Sequence, residues 1–204
     1  MLIELFPDNL DQRKIARIAE VLRNDGIVVY PTDTVYSVGC SIESGKGIER
    51  LAKLKGIKPD KARFAIICSD LTHLSDYTRQ INNSTFRLLK KLLPGPYTFI
   101  LEAGSSIPRF FPGNRKTIGI RVPDHPIPRA IVEELGCPII TTSLHDNDEM
   151  MEYPTDPAAI YDVWQDKADI VIDSGPGGLI ASTVVDVTSG EPVVIREGKG
   201  SIDW

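Results

Sequence analysis

Short runs rich in β-branched and aromatic residues, each bounded by turn residues, recur along the chain with stretches of helical period between them. Ile27-Val28-Val29-Tyr30 stops at Pro31, Phe64-Ala65-Ile66-Ile67-Cys68 follows a basic loop, and Tyr97-Thr98-Phe99-Ile100-Leu101 begins after Pro94-Gly95-Pro96. The pattern returns in TIGIRV (117–122), PIITT (138–142), DIVI (169–172), STVVDV (182–187) and PVVIRE (192–197). Such runs have the length and composition of strands, not of buried helices. Between them, residues 12–25 put Ile15, Ile18, Val21 and Leu22 on one helical face, with Asp11 placed as an N-cap and Gly26 as a stop. Further helices are expected over 46–55, 84–93, after Pro126 and near 156–166; the 84–93 helix sets Phe86, Leu89 and Leu93 on one face. Strands and helices that alternate without a shift in composition predict one α/β domain spanning residues 1–204, with a twisted, mixed sheet flanked by helices.

The chain's 204 residues, 42% hydrophobic and 25% charged, suffice for one well-buried core. The opening MLIELFPDNLDQRK lacks a basic n-region and a sustained apolar run, and no later segment has the length of a membrane span, so a cytoplasmic, non-membrane protein is expected. Cys40, Cys68 and Cys137 are odd in number and set in apolar contexts, which reads as buried thiols instead of a disulfide framework or zinc site. His73, His125 and His145 have no metal-helix spacing. A net charge of −5 argues against indiscriminate nucleic-acid binding. Charge is nevertheless clustered: Lys53, Lys55, Lys58, Lys61 and Arg63 form a basic stretch, Arg115 and Lys116 precede a strand, and Asp146, Asp148, Glu149 and Glu152 crowd a later loop.

Candidate chemistry lies where strands end, because ligands of open α/β sheets collect there. PTDTVYSVG (31–39) follows the first strong strand with two threonines, an aspartate and a serine. It reads equally as a turn whose side chains satisfy local backbone and as a ligand contact. Thr141-Thr142-Ser143 and Ser182-Thr183 repeat the theme, and Arg121 and Arg196 stand in or at the ends of apolar strands. A strand arginine needs either an ion pair with one of the 28 acids or an anionic ligand. Several hydroxyl-and-arginine strand ends in one domain favour a shared anionic ligand.

These residues also carry a resemblance. PTDTVYSVG is similar to the PTETVYGLG segment of the YrdC/YciO family, whose best-known members are threonylcarbamoyl-AMP synthases. The likeness continues in order through KGIKPDK, LLPGPYTFIL, TIGIRVPDHP, ITTSLH, STVVDVT and VVIREG. It implies a YrdC-like fold with a large concave, electropositive face. It also implies a nucleotidyl transfer that uses L-threonine, bicarbonate and ATP with Mg²⁺ to form threonylcarbamoyl-AMP and pyrophosphate for tRNA modification. On the matched positions, Thr34, Arg121, Thr141 and Ser182 would bind threonine, with Arg121 forking its carboxylate. Lys55, Lys58, Lys61, Thr117, Ser143 and Arg196 would lie along the nucleotide, and Lys55 and Arg121 would be the catalytic pair.

The departures point to the YciO branch. Where synthases read Lys-Gly-Arg-Pro, this chain has Lys55-Gly56-Ile57-Lys58-Pro59, and its loop up to Lys61 is one residue longer. Lysine does not reproduce a planar guanidinium fork. Ser-x-Asn becomes Ser143-Leu144-His145, and the glycine of VYGLG becomes Ser37. The acidic loop after Ser143 would either help hold magnesium or act as a solvated lid. Two functions therefore stay open: a synthase of reduced turnover, or a paralogue that binds tRNA, double-stranded RNA or a nucleotide without turnover.

Overall fold

The computed structural model describes residues 1–58, 64–72, 74–108, 111, 116–144 and 153–204. Lys61, Arg63, His73, Arg115 and the acidic loop 145–152 lie outside them. In chain order the elements are β1 (Leu2–Glu4), α1 (Gln12–Arg23), β2 (Val28–Tyr30), β3 (Ser37–Ser41), α2 (Gly45–Leu54), β4 (Ala65–Ile67), α3 (Leu74–Tyr77), α4 (Asn83–Leu92), β5 (Tyr97–Glu102), β6 (Thr117–Arg121), α5 (Pro126–Leu135), β7 (Ile139–Ser143), α6 (Pro157–Trp164), β8 (Ile170–Asp173), β9 (Thr183–Asp186) and β10 (Val193–Arg196). The strands form one mixed sheet in the order β1-β8-β2-β3-β7-β4-β6-β5-β9-β10. The expected α/β fold with a mixed sheet and flanking helices is therefore present.

Strand parity decides what each side of the sheet carries, since alternate side chains point to opposite faces. Val38, Cys40, Ile140, Ile66, Ile120, Phe99 and Val185 share one face and are all wholly buried. Helices α1 and α2 pack on β3 and α5 packs on β4 to cover it, and α1 also lies against α5. Each fully buried Leu or Ile of this layer contributes roughly 1.5–3 kcal/mol of transfer free energy.

Asp11 caps α1 as expected, accepting from the amides of Arg13 (2.9 Å) and Lys14 (3.4 Å), an arrangement that stabilises a helix by about 1 kcal/mol. The helix stop differs from the expectation. Asn24 is the C-cap, Asp25 takes the left-handed conformation (φ 64°), and Gly26 is needed because a Cβ there would lie 2.5 Å from the Val21 carbonyl oxygen. The face of α4 also needs correction: Thr85 and Leu89 are buried, whereas Phe86 is 43% exposed. Phe86 sits one position off the buried stripe that runs through Thr85, Leu89 and Leu93, so its ring points to solvent.

Three elements have weak sequence signals. β1 and α3 are only a few residues long, and β3 lies inside the segment taken as a strand-end turn. Only residues 31–36 form the turn; from Ser37 the chain is a central strand paired with β2 and β7. Cys40, Cys68 and Cys137 are free and buried, as expected. Among the described residues no helix is long and apolar enough to cross a membrane.

Candidate functional site

The turn after β2 is built from its own hydroxyls. Thr34 donates its amide to Thr32 Oγ1 (3.1 Å), Thr32 Oγ1 donates to the Val35 carbonyl (2.7 Å), and the two threonine oxygens are 3.0 Å apart. A hydroxyl owns a single proton. Since that of Thr32 goes to Val35, the Thr34 proton must go to Thr32, and Thr34 Oγ1 meets its other neighbour as an acceptor. That neighbour is Arg121, whose Nη2 donates to Thr34 Oγ1 at 3.0 Å and to Asp33 Oδ1 at 2.9 Å.

Both proton positions of Nη2 are thus in use. The side chains of Arg121 and Asp33 are only 7% and 8% exposed, yet their pairing is single-pronged. Among the described residues, Arg121 Nε and Asp33 Oδ2 are buried and find no hydrogen-bond partner. Burial pulls the Arg121 guanidinium pKa below its ordinary value, the Asp33 carboxylate pushes it back up, and the like charge of Arg196 lowers it again. A buried carboxylate pair was one of the two readings of a strand arginine, and for Arg121 it is present.

Arg121 also faces a cleft of about 990 Å³ on the side of the sheet opposite the helical layer. Register explains the hollow. Gly39, Thr141, Ala65, Gly119 and Ile100 stand side by side across five strands, and four of these side chains are small. At Gly119 a Cβ would come within 3.2 Å of Ala65 Cβ and of Thr98 Cγ2, so the floor is already closed at that depth. Thr141 is fixed from behind: Tyr30, wholly buried on β2, donates to Thr141 Oγ1 at 2.6 Å. Gly39 is required beside it, because a Cβ there would sit 2.3 Å from the Ile140 carbonyl oxygen, and 3.1 Å from the Tyr30 hydroxyl. Burial drives the Tyr30 phenol pKa far up, so it remains a donor.

The cleft gathers most of the residues singled out from sequence. Thr117, Arg121, Thr141, Ser143, Ser182 and Arg196 line it. Ser182 exchanges a hydrogen bond with Thr98 Oγ1 (2.9 Å), and its carbonyl accepts from Arg196 Nη2 (3.0 Å). Lys55, at the C-cap of α2 and 5% exposed, donates to the Ser143 carbonyl at 3.0 Å, which ties it to the same end of the cleft. Thr34 sits behind Arg121, 1% exposed, and Lys58 is exposed; neither is among the lining residues. Sequence reasoning passed over Asp33 as a partner, Tyr30, Thr98, Lys116 and Asp186. Thr98 and Asp186 did leave a trace, as polar positions at period two within apolar strands. The charged side chains of the described lining are Lys116, Arg121 and Arg196 against the lone carboxylate of Asp186.

A family model named for Sua5, YciO and YrdC, with the description "Telomere recombination", matches residues 20–198. The chain belongs to this family. Within it, the chain is 42% identical to YciO of Escherichia coli (strain K12) over 200 residues, 97% of this chain and 95% of that protein. The crystal structure of E. coli YciO superposes with a TM-score of 0.90 at 39% identity, covering 100% of this chain and 98% of the other. A threonylcarbamoyl-AMP synthase of Bacillus subtilis (strain 168) is 29% identical over 188 residues, 91% of this chain and 53% of the synthase. The crystal structure of P. abyssi Sua5 complexed with L-threonine gives a TM-score of 0.86 at 27% identity, over 97% of this chain and 57% of that one. The family and the expected likeness to its YciO branch are thus established, and this chain spans little more than half of the two longer relatives.

Proposed function

We propose that the cleft is the site of a threonylcarbamoyl-AMP synthase-type nucleotidyltransferase that takes L-threonine, bicarbonate and ATP and turns over slowly. One observation carries this reading: two guanidinium groups and the hydroxyls of Thr117, Thr141, Ser143 and Ser182, from four strands or strand ends, line a single hollow. Such a lining suits a ligand with several negative oxygens. The likeness to a synthase and to a Sua5 bound to L-threonine supports the choice of substrates.

In this reading the threonine amine adds to the carbon of bicarbonate with loss of water, a carbamate oxygen attacks the α-phosphorus, and pyrophosphate leaves. The protein orients and neutralises charge instead of supplying a nucleophile. Arg121 holds the amino-acid carboxylate, Ser182 and Thr141 border it, and Lys55, Ser143, Thr117 and Arg196 follow the phosphates. No group of His, Cys, Asp or Glu side chains among the described residues is placed to hold a metal ion. In this reading magnesium enters with the substrate as MgATP, and no step is assigned to a protein-bound metal. Replacement of the Lys-x-Arg and Ser-x-Asn pairs is the reason for slow turnover, because each lost preorganised donor costs about 10²–10³ in rate.

The test is purified protein with MgATP, L-threonine and bicarbonate, scored by mass spectrometry for the adenylate and by threonine-dependent pyrophosphate release. Both signals are expected, and Arg121→Ala should remove them. Release that survives Arg121→Ala would place the chemistry elsewhere. A second reading, RNA binding without turnover, draws on exposed Lys58, Lys116 and Lys199. Gel shifts with tRNA and duplex RNA should then weaken steeply as salt rises, and no shift at low salt would exclude it.

A further inference from the structure

The sheet ends at β10, and among the described residues nothing pairs with its outer edge. Hydrogen-bond parity shows what that edge offers. The Thr183 N–H donates to the Pro96 carbonyl (3.0 Å) and that of Val187 to the Ile100 carbonyl (3.1 Å), so the odd residues of β9 bond to β5, and Val184 and Asp186 bond to β10. Val193, opposite Asp186, therefore turns its own N–H and C=O to β9, whereas those of Val194, opposite Val185, point outward. Pro192 has no N–H, and a bulge between Val194 and Arg196 breaks the ladder on the other side, so pairing along this edge can centre only on Val194. The strand is apolar on both faces: Val193 stands with Asp186 on the cleft side, Ile195 lines the cleft, and Val194 stands with Val185 on the other side.

A strand with this pattern fits its own copy. Antiparallel pairing about a two-fold axis between two Val194 residues gives two reciprocal Val194 N–H···O=C bonds, sets Val194 beside the partner's Val194, and sets Val193 beside the partner's Ile195 twice over. Every exposed apolar side chain of β10 then meets another. Leu179 and Ile180 extend the patch, since the Ala181 carbonyl next to them accepts from the Lys199 N–H just beyond the strand, and these five residues are 38–61% exposed. Together they present on the order of 500 Å² of apolar surface, within the about 300–600 Å² of a monomer's largest patch and over half of the about 800 Å² that each partner of a standard interface buries. The opposite edge of the sheet is guarded: the main-chain groups of Leu2 and Glu4 face outward from β1, and Lys14 Nζ takes the Glu4 carbonyl at 2.7 Å. We infer that β10 is a dimerisation edge, at which two copies of this chain join their sheets antiparallel about Val194. Both clefts then open on the same face of one continuous sheet, the partner's Val193 backs Ile195 in the wall of each cleft, and association stops at two.

Sedimentation velocity and light scattering on the full chain read the species directly. Wild type should run as a dimer, at twice the 22.5 kDa of the chain, when loaded at about 50 µM. Beyond the strand the same register brings Glu191 towards the partner's Glu197, so added salt should strengthen the dimer. Val194→Pro deletes only an outward N–H, leaves the β9 ladder intact and suits an edge strand. It should raise the dissociation constant about ten- to a hundredfold, the contribution of two hydrogen bonds. Ile195→Lys, at an exposed position, should weaken the dimer as well, by setting a charge against the partner's Val193. Circular dichroism and urea midpoints near those of wild type show that the variants fold; should Val194→Pro fail to fold, Ile195→Lys decides alone. Wild type that stays monomeric at about 50 µM in both low and high salt overturns the inference and leaves the edge to a strand of another protein. A dimer that survives both variants lies on another surface and overturns it too, as do species that grow beyond two copies.

Discussion

Cutting the Arg121–Asp33 pair tests the electrostatics on which the cleft depends. The contact is 2.9 Å between side chains that are 7% and 8% exposed. Charge centres behind such a contact lie roughly 4 Å apart, and at an effective dielectric of about 20 they attract by about 4 kcal/mol. Truncating one partner of a buried pair leaves the other charge stranded, at about 3–5 kcal/mol. The two truncations should not be equal. Asp33→Ala leaves a buried guanidinium that already feels the like charge of Arg196, so it should destabilise more than Arg121→Ala. Urea unfolding of wild type, both single variants and the double variant gives the coupling directly. A coupling of about 2–4 kcal/mol is expected, with the double variant far more stable than additivity implies. Sulfate or phosphate should restore Asp33→Ala more than it stabilises wild type. A coupling below about 0.5 kcal/mol would refute the claim that these charges support each other, since that is the additivity of independent sites.

Tyr30→Phe should lower stability by about 1–3 kcal/mol in urea unfolding, because it strips the buried Thr141 hydroxyl of its 2.6 Å partner while keeping the ring; an unchanged midpoint would mean the bond contributes nothing. Burial pushes the Tyr36 phenol and the Cys40 thiol up to about 12 each, so the folded chain keeps protons that the unfolded chain releases first. Stability should therefore be intact below about pH 8.5 and decline as pH rises through about 9 to 12, and a midpoint flat across that window would contradict it. His125 has the opposite sense: burial pulls its pKa below the ordinary value while Asp33 and Asp124 oppose. Its contribution is present above about pH 6.5 and lost below, so His125→Gln should flatten the acid side of the stability profile.

The sequence made the alternation of elements legible because strand period and helix period differ, and most helices and strands lie within a residue or two of their expected places. β3 hid for a physical reason. Ser37-Val38-Gly39-Cys40-Ser41 lacks the bulk that marks a strand, and it lacks bulk because β7 approaches too closely at Gly39 for a side chain and Ser37 borders the cleft. The failure at Phe86 arose because a bulky aromatic outweighed a neighbouring threonine in the periodicity, although Thr85 is the residue that packs. Arg121 was legible as a residue in need of an anion. Its partner was not, since Asp33 lies 88 residues away and sat in a turn where an aspartate needs no special explanation.

Function here follows from parity more than from any single motif. Along β6 the cleft side reads Thr117, Gly119, Arg121 while the other side reads Ile118 and Ile120, and on β9 Asp186 faces the cleft while Val185 joins the buried layer. One face thus carries the apolar layer that the helices cover, and the other carries the small and hydrogen-bonding side chains that open the hollow, with a few apolar residues such as Ile100 and Val184 at its walls. Slipping β6 by one residue would bury Arg121 on the apolar side and turn Ile118 and Ile120 into the hollow. The core therefore enforces the site: Ile118 and Ile120, buried on the opposite face of β6, also fix on which side Arg121 emerges, and Asp33 need only meet it there.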